Sequence, residues 1–335
     1  MHYALCIMHC ALCIVNYEPK VMSKANNYEL NNKWAVIINP KAGKQRLRRD
    51  WVKMYRILKR AEVEFQVWTT QYAGHAIELA RYLVERGFRN LLVVGGDGTI
   101  NEVVNGIYTS KIEDKSSVSI ALIPYGTGND WARYWGLYKS KRKMSDRFYQ
   151  PNRVKVDLGC ITYHVDGEER KRYFLNGMGV GFDAQVCLLT DRLKRIYGGH
   201  AWVYYLSLVI ALFTWKPSRM QLIYDDDAIE EDVFTIAVGN GCYSGGGIKQ
   251  VPADPTDGVF HTNVVPRLTW KILSTIVGFL LRGELWNHPA CTMKTTKRFK
   301  IKNRQSFLIE TDGIMIDGHG PYTAEIIPSA LNMIV

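Results

Sequence analysis

Apolar residues follow two rhythms along this chain. From Trp34 to about Lys139, short unbroken apolar runs alternate with stretches in which apolar residues recur at helical spacing. "WAVIINP" (34–40), "VEFQVWTT" (63–70), "LLVV" (91–94) and "SIALIP" (119–124) are strand-like, whereas 47–58, 77–84 and 100–107 carry the stripe of an amphipathic helix. This alternation predicts a parallel sheet with helices on its faces, whose ligands gather outside the carboxyl ends of the strands. Beyond "KSKRKMSDR" (139–147) the texture turns β-rich, in "KRYFLNGMGVGF", "DVFTIAVGNG", "GVFHTNVV", "RFKIK", "QSFLIET" and "YTAEIIP", with helical stretches at 183–196, 201–215 and 268–282. The pattern therefore divides near residue 145. Residues 1–30 stay unassigned, 31–145 form an α/β domain, and 146–335 form a β-sandwich-like domain whose last residues can return to the first.

Composition adds limits to this picture. A chain of 335 residues, 47% hydrophobic and 22% charged, suits a folded protein of about two domains and excludes fibrous and disordered classes. Its net charge of +11 points to an anionic partner: nucleotide, nucleic acid or acidic lipid. Nucleic acid is disfavoured, because no basic motif is interleaved with the aromatic residues that single-strand platforms use. Seven cysteines, an odd number spread along the chain, argue for a reducing compartment rather than a disulfide framework. Cys6, Cys10 and Cys13 lie near His2 and His9, but no second CxxC pair supports a metal site there. The same stretch lacks the basic n-region and cleavage site of a signal peptide. The run 201–215 is shorter than the roughly 20 residues a spanning helix needs, so it is expected as a buried or surface-lying helix.

The candidate chemistry centres on "LLVVGGDGTINEVVNG" (91–106), a strand, a glycine turn and a helix. Gly95, Gly96 and Gly98 leave room for a ligand to approach main-chain N–H groups at a helix N-terminus, which favours phosphate. A plain strand-to-helix turn without a ligand is the simpler alternative. Three further segments close successive strands: "INPKAGK" with Asn39, Lys41, Gly43 and Lys44; "TTQYAGHA" with Thr70; and "IPYGTGND" with Gly126, Thr127, Gly128, Asn129 and Asp130. Together they would surround one nucleotide. No GxxxxGK[ST] marks a P-loop, and no HRD or DFG marks a protein kinase.

GGDGTINEVVNG followed by IPYGTGND, with INPKAGK upstream and "ETDG" late in the chain, resembles the diacylglycerol kinase catalytic-domain family, which includes sphingosine and ceramide kinases. "FLNGMGVGFDAQV" and "VPADPTDGVF" resemble the same family in order and spacing. The resemblance implies a Rossmann-like nucleotide-binding domain, a C-terminal β-sandwich-like domain, ATP and Mg2+ as cofactors, and transfer of the γ-phosphate of ATP to a lipid hydroxyl. Diacylglycerol is the default acceptor by family. By position, Gly95, Gly96, Asp97, Gly98, Thr99, Ile100 and Asn101 match the nucleotide loop, and Asn39, Gly43, Thr70, Gly126 and Thr127 match residues lining the same ATP site. Asp97 would face the phosphates and their magnesium. Asp257 matches a second magnesium site completed by main-chain oxygens, here those of Asp254 and Val259, although a plain Asp-Gly turn explains the spacing as well.

Asp312 matches the catalytic aspartate, the base towards the lipid hydroxyl. The family reads Asp-Gly-Glu, and here Ile314 stands where the glutamate is expected, with a second Asp-Gly at Asp317. That departure keeps a catalytically silent lipid- or nucleotide-binding regulator in view. An NAD kinase shares the GGDGT turn but continues it with a different helix. The expected partners are a lipid substrate and an anionic membrane surface met by Lys141 to Lys143 and "KTTKRFKIKNR", with nucleic acid excluded and a homodimer allowed. The expected setting is cytoplasmic and peripheral to a membrane.

Overall fold

The structure is a computed structural model that describes residues 30–137, 147–148, 151–198, 201–302 and 306–335. The cysteines Cys6, Cys10 and Cys13, the basic residues Lys141 to Lys143 and the expected boundary at residue 145 lie outside the described residues. The chain divides into two compact units, one holding the described residues up to Val156 together with Ser329–Val335, the other Asp157–Pro328.

In chain order the first unit runs β1 (Trp34–Ile38), α1 (Arg46–Arg60), β2 (Phe65–Thr69), α2 (His75–Glu85), β3 (Asn90–Gly95), α3 (Asp97–Tyr108), β4 (Ser119–Pro124) and α4 (Asp130–Tyr134). β1 pairs in parallel with both β2 and β3, and β3 with β4. A further strand comes from the end of the chain, where Asn332 lies opposite Ser119 and Met333 opposite Ile120, again parallel. β1 and β3 are almost wholly buried, the burial pattern of unbroken apolar runs in a sheet covered on both faces. The chain leaves β1 for β2 on one side and returns to β3 on the other, so the strand order reverses at β1 and β3. Ligands of such sheets bind in the crevice at the carboxyl ends of these strands. Asn39 and the glycine turn are the residues that stand there.

The helix after β3 starts earlier than its apolar stripe suggests. Asp97, Gly98 and Thr99 are already helical, with Gly96 as the N-cap, so half of the glycine turn is the first turn of α3.

The second unit is largely antiparallel. It contains β5 (Arg153–Val165) from Asp157 on, β6 (Glu168–Phe174), β7 (Gly177–Gly181), α5 (Phe182–Tyr197), α6 (Ala201–Thr214), β8 (Ser218–Ile223), β9 (Ala228–Gly239), β10 (Tyr243–Ser244), β11 (Ile248–Lys249), β12 (Phe260–Pro266), α7 (Trp270–Arg282), β13 (Thr292–Thr296), β14 (Arg298–Ile301), β15 (Ile309–Thr311), β16 (Ile314–Met315) and β17 (His319–Ile334) as far as Pro328. Strands follow the order β16, β15, β7, β9, β8, β14, β17, with β12 added on β9, β13 on β12, and β5 beside β6. Their apolar faces meet in one cluster around Phe174, Ile236, Phe260, Phe299 and Tyr322, in which the rings of Phe174 and Phe260 stack at 5.7 Å. Among the described residues no helix is long and apolar enough to cross a membrane.

Helices α2 and α3 meet at Gly106. A Cβ there would overlap the carbonyl oxygen of Ile77 and lie 2.8 Å from Ala80 Cβ. Alanine in place of glycine gains about 1 kcal/mol of helix propensity, yet overpacking of a close contact costs about 1–3 kcal/mol. Gly106→Ala is therefore expected to lower the urea midpoint of the first unit rather than raise it, as followed by far-UV circular dichroism.

Candidate active site

Three loops meet at the carboxyl end of the first sheet. Asn39, directly after β1, donates its backbone N–H to Val94 O at 3.0 Å and its side-chain Nδ2 to Thr99 Oγ1 at 3.1 Å, while its Oδ1 accepts the N–H of Lys41. It thereby ties the first loop to the first turn of α3. Thr70, at the end of β2, is buried and donates its N–H to Ile38 O at 2.9 Å. Gly43 has φ 62° and lies so close to Tyr125 O that a Cβ would come within 2.7 Å.

The glycines divide by role. A Cβ on Gly96 would sit 2.6 Å from Gly126 Cα, and one on Gly95 would sit 2.5 Å from Thr99 Oγ1. These glycines let loops approach one another. Gly98 alone of the turn faces open space, and Thr127 is exposed nearby in sequence to Gly126. Gly96 supplies no side-chain cap and its carbonyl takes the N–H of Thr99 at 3.0 Å, so Gly98 stands open at the positive end of α3. Ile100 and Asn101 face inward: Ile100 belongs to the core, and Asn101 Oδ1 accepts from Asn105 Nδ2 at 3.2 Å. Both shape the loop from beneath.

Asp97 joins the two glycine loops. Its Oδ2 accepts the N–H of Asp130 at 3.0 Å and its Oδ1 that of Trp131 at 3.1 Å, so its carboxylate caps α4 and fastens the second glycine loop to the first. Asn129, held at φ 51°, pins the same loop by accepting from Gly126 N at 2.7 Å and donating to Gly126 O at 2.7 Å. Two supports escaped the motif reading. Glu102 accepts the N–H groups of Gly74 and Ala76 at the start of α2, and His75 Nδ1 accepts from Gln71 N while its ring stacks on Tyr72 at 4.6 Å. Nothing in the sequence marks Glu102, and His75 is marked only by following Gly74.

In the second unit Asp312 and Gly313 form the two-residue turn between β15 and β16, at φ 49° and 80°, the left-handed pair that joins tight hairpins. The Asp312 carboxylate accepts three main-chain N–H bonds, from Leu175 at 2.7 Å, Asn176 at 2.8 Å and Gly177 at 3.1 Å, and its own N–H returns to Gly177 O at 3.0 Å. Charge-assisted bonds of this kind fix a carboxylate in place and complement its charge. Gly313 is gripped on both sides, its N–H by Glu310 Oε2 at 2.6 Å and its carbonyl by the Cys187 thiol at 3.1 Å. Ile314 lies in β16 opposite Thr311, so the expected family carboxylate is absent from that strand. The carboxylate that lies close is Glu310, two residues before Asp312. Burial pushes its carboxyl up to about 8, opposed by the Gly313 N–H, and the charges of Asp312 and Asp183 add to the rise. Asp183, at the start of α5, is pushed up to about 6 by burial against hydrogen bonds from Gln250 and Thr235. Asp317, the alternative aspartate, is exposed between β16 and β17.

The segment expected to hold magnesium is closed on itself. Asp257 Oδ1 accepts from Val259 N at 3.1 Å, and its Oδ2 lies 2.8 Å from His261 Nε2. Asp254 Oδ1 accepts both the N–H and the hydroxyl of Thr256. A cation at Asp257 would compete with His261 for Oδ2. The basic run 294–304, described as far as Lys302, is also engaged: Lys294 pairs with Asp227, Arg298 with Glu325, and Asp225 takes the N–H groups of Lys297 and Arg298.

Residues 33–161 match the family described as Diacylglycerol kinase catalytic domain, and residues 176–335 the YegS C-terminal NAD kinase beta sandwich-like domain. A diacylglycerol kinase of Staphylococcus saprophyticus is 29% identical over 83% of this chain and 87% of its own. A diacylglycerol kinase of Staphylococcus aureus is 28% identical over 83% and 84%. The crystal structure of a diacylglycerol kinase from Bacillus anthracis superimposes with a TM-score of 0.65 at 21% identity, covering 90% of this chain and 96% of that one, which shows a common fold.

The buried acid predicts a pH dependence. Glu310 takes up its proton more readily folded than unfolded, so its contribution to stability is fully present below its unfolded value near 4.5 and is lost as pH rises towards about 8. Glu310→Gln keeps an acceptor for Gly313 and cannot ionise. Melting curves between these limits should show the variant gaining on the unmodified protein as pH rises; a constant gap would remove the assignment.

Proposed function

Because the chain belongs to the lipid kinase family that carries the diacylglycerol kinase catalytic domain, we propose that it transfers the γ-phosphate of ATP to a lipid hydroxyl, with diacylglycerol as the acceptor. The observation that carries this reading is the Asp312 carboxylate, fixed by three main-chain N–H groups on a strained two-residue turn. Strain of that kind at a non-glycine residue persists where the surroundings impose it, and it gathers at functional sites.

In the first unit, the phosphates of ATP meet the uncapped N-terminus of α3 beside Gly98, with Thr127 as a hydroxyl donor and Gly43, Gly95, Gly96 and Gly126 keeping the loops close. Asn39 and Thr70 set the floor of that loop cluster. In the second unit, Asp312 accepts the proton of the lipid hydroxyl as its oxygen bonds to the γ-phosphorus, and the bond to the β-phosphate oxygen breaks to release ADP. Magnesium would enter with the nucleotide and supply neutralisation of phosphate charge. No step is assigned to it at Asp257. Peripheral attachment to the cytoplasmic face of a membrane is the setting inferred; the thiols of Cys160, Cys187 and Cys291, none in a disulfide, support the reducing side. Ile314 favours one second reading, a silent regulator that binds nucleotide or lipid without transfer.

Two measurements test the reading. Labelled phosphate from ATP should pass to one member of a lipid panel in mixed micelles, and Asp312→Asn should slow transfer by about 10²–10⁴-fold with ATP affinity unchanged. ATP binding without transfer to any lipid would instead support the regulator. Gly98→Ala places a methyl group in the open space at the helix N-terminus. It should raise stability, by up to about 1 kcal/mol, while weakening ATP binding measured by titration calorimetry; unchanged affinity would move the phosphates elsewhere.

A further inference from the structure

Among the described residues, the large apolar side chains that stand exposed fall, Tyr72 apart, on α5, α6 and α7 of the second unit. Helix α6 is inverted. It buries Val203, Ser207 and Ala211, one per turn, and exposes Trp202, Tyr205, Leu206, Val209 and Phe213. A helix at the surface of a globular domain does the reverse, turning its large apolar residues to the core. Helices α5 and α7 adjoin it. The rings of Tyr197, which closes α5, and Trp202 lie 5.6 Å apart. On the inner side, Leu212 of α6 and Ile272, Ile276 and Leu280 of α7 share one cluster with Phe234 and Val265. On the outer side, Phe213 is 81% exposed and Leu281 of α7 is 83% exposed.

The charges around this face have one dominant sign. Neither α6 nor α7 contains an acidic residue. Lys194 and Arg195 occupy the last turn of α5, Lys216 follows α6, and Lys271 and Arg282 stand at the two ends of α7. Of the nearby acids, Glu284 is taken by Arg282 at 3.6 Å, and Asp191 remains on α5. Helices of 14 and 13 residues reach about 21 Å at 1.5 Å per residue, short of the roughly 30 Å hydrocarbon core. They suit the plane of a membrane interface, where Trp and Tyr gather and Lys and Arg meet anionic headgroups. A second copy of the chain would set the same cations against each other.

We propose that the outer faces of α6 and α7, with the end of α5, dock on an anionic bilayer surface, the aromatic and aliphatic side chains entering the headgroup boundary and Lys194, Arg195, Lys216 and Lys271 facing lipid phosphates. This rests on the lipid kinase reading and names the surface through which the enzyme reaches its substrate. It assigns membrane contact to these helices rather than to the basic run around Lys294, where Lys294 and Arg298 are each held by an acid.

Flotation with vesicles of phosphatidylcholine, and of phosphatidylcholine with phosphatidylglycerol at about two to one, tests the surface without catalysis. The full chain should float with the mixed vesicles and less with the neutral ones, and Phe213→Ser with Leu281→Ser should weaken binding by about tenfold or more with an unchanged melting curve. Equal flotation of the double variant and the unmodified protein would overturn the proposal. So would association of the unmodified protein with itself, abolished by the double variant, in the absence of lipid, since the face would then belong to a second copy. Transfer of phosphate to a short-chain diacylglycerol dissolved as monomers, measured in parallel, should be the same for both proteins. If both fail to phosphorylate any lipid while vesicle binding behaves as expected, the kinase reading falls and the docking surface stands.

Discussion

Side-chain carboxylates that accept main-chain N–H bonds hold the functional turns of this protein in place. A turn that must present its backbone to a ligand cannot also satisfy all of its donors from secondary structure, and an unpaired buried N–H is costly. Asp97 takes the donors at the start of α4, Glu102 those at the start of α2, Asp312 those of Leu175 to Gly177, and Asp225 those of Lys297 and Arg298. Each bridge joins segments far apart in sequence, 33 residues between Asp97 and Asp130 and 137 between Leu175 and Asp312. The glycine loops and the Asp-Gly turn can be tight because these carboxylates absorb the donors that tightness leaves over.

This also explains what could be read from the chain and what could not. The runs at 34–40, 91–94 and 119–124 announce buried parallel strands because they are apolar without interruption, and the glycine turn falls at the reversal of strand order because helices separate those strands. Glycine and asparagine mark turns through local chemistry, so Gly43 and Asn129 stood out, whereas Asp312 stood out through the family resemblance. The partner of a carboxylate leaves no such trace. Asp97 looks like a phosphate-facing aspartate in its motif, and only the fold reveals the start of α4 against it. Asp257 likewise has the spacing of a cation ligand, and His261, four residues on, takes its Oδ2. The apolar run of α6 defined a helix but not which face it would bury, since apolar residues lie on every side of it.

Places where local preference and tertiary setting disagree are informative. Asp312 adopts a backbone conformation that glycine would hold more easily, Glu310 is enclosed where its charge is costly, and α6 turns its bulk outward. The first two adjoin one hairpin turn and share Gly313, so the loss of a carboxylate at Ile314 is set beside a buried acid that reaches the same turn from the other strand. The positive charge of the chain is likewise uneven in effect: Lys294 and Arg298 are held by Asp227 and Glu325, while Lys271 and Arg282 stand on a helix that carries no acid.

The strand β17 has a bearing on the order of events at the ribosome. Its last residues lie parallel to β4, and Asn332 bonds back to Ser116 across 216 residues of chain. Polypeptides fold as they emerge, N-terminal parts first, and contacts between distant residues close slowly. The first unit must therefore wait, with one edge of its sheet unfilled, while the whole of the second is synthesised. An exposed strand edge invites the wrong partner, so β4 is where a nascent or truncated chain would be captured by chaperones or lost to aggregation.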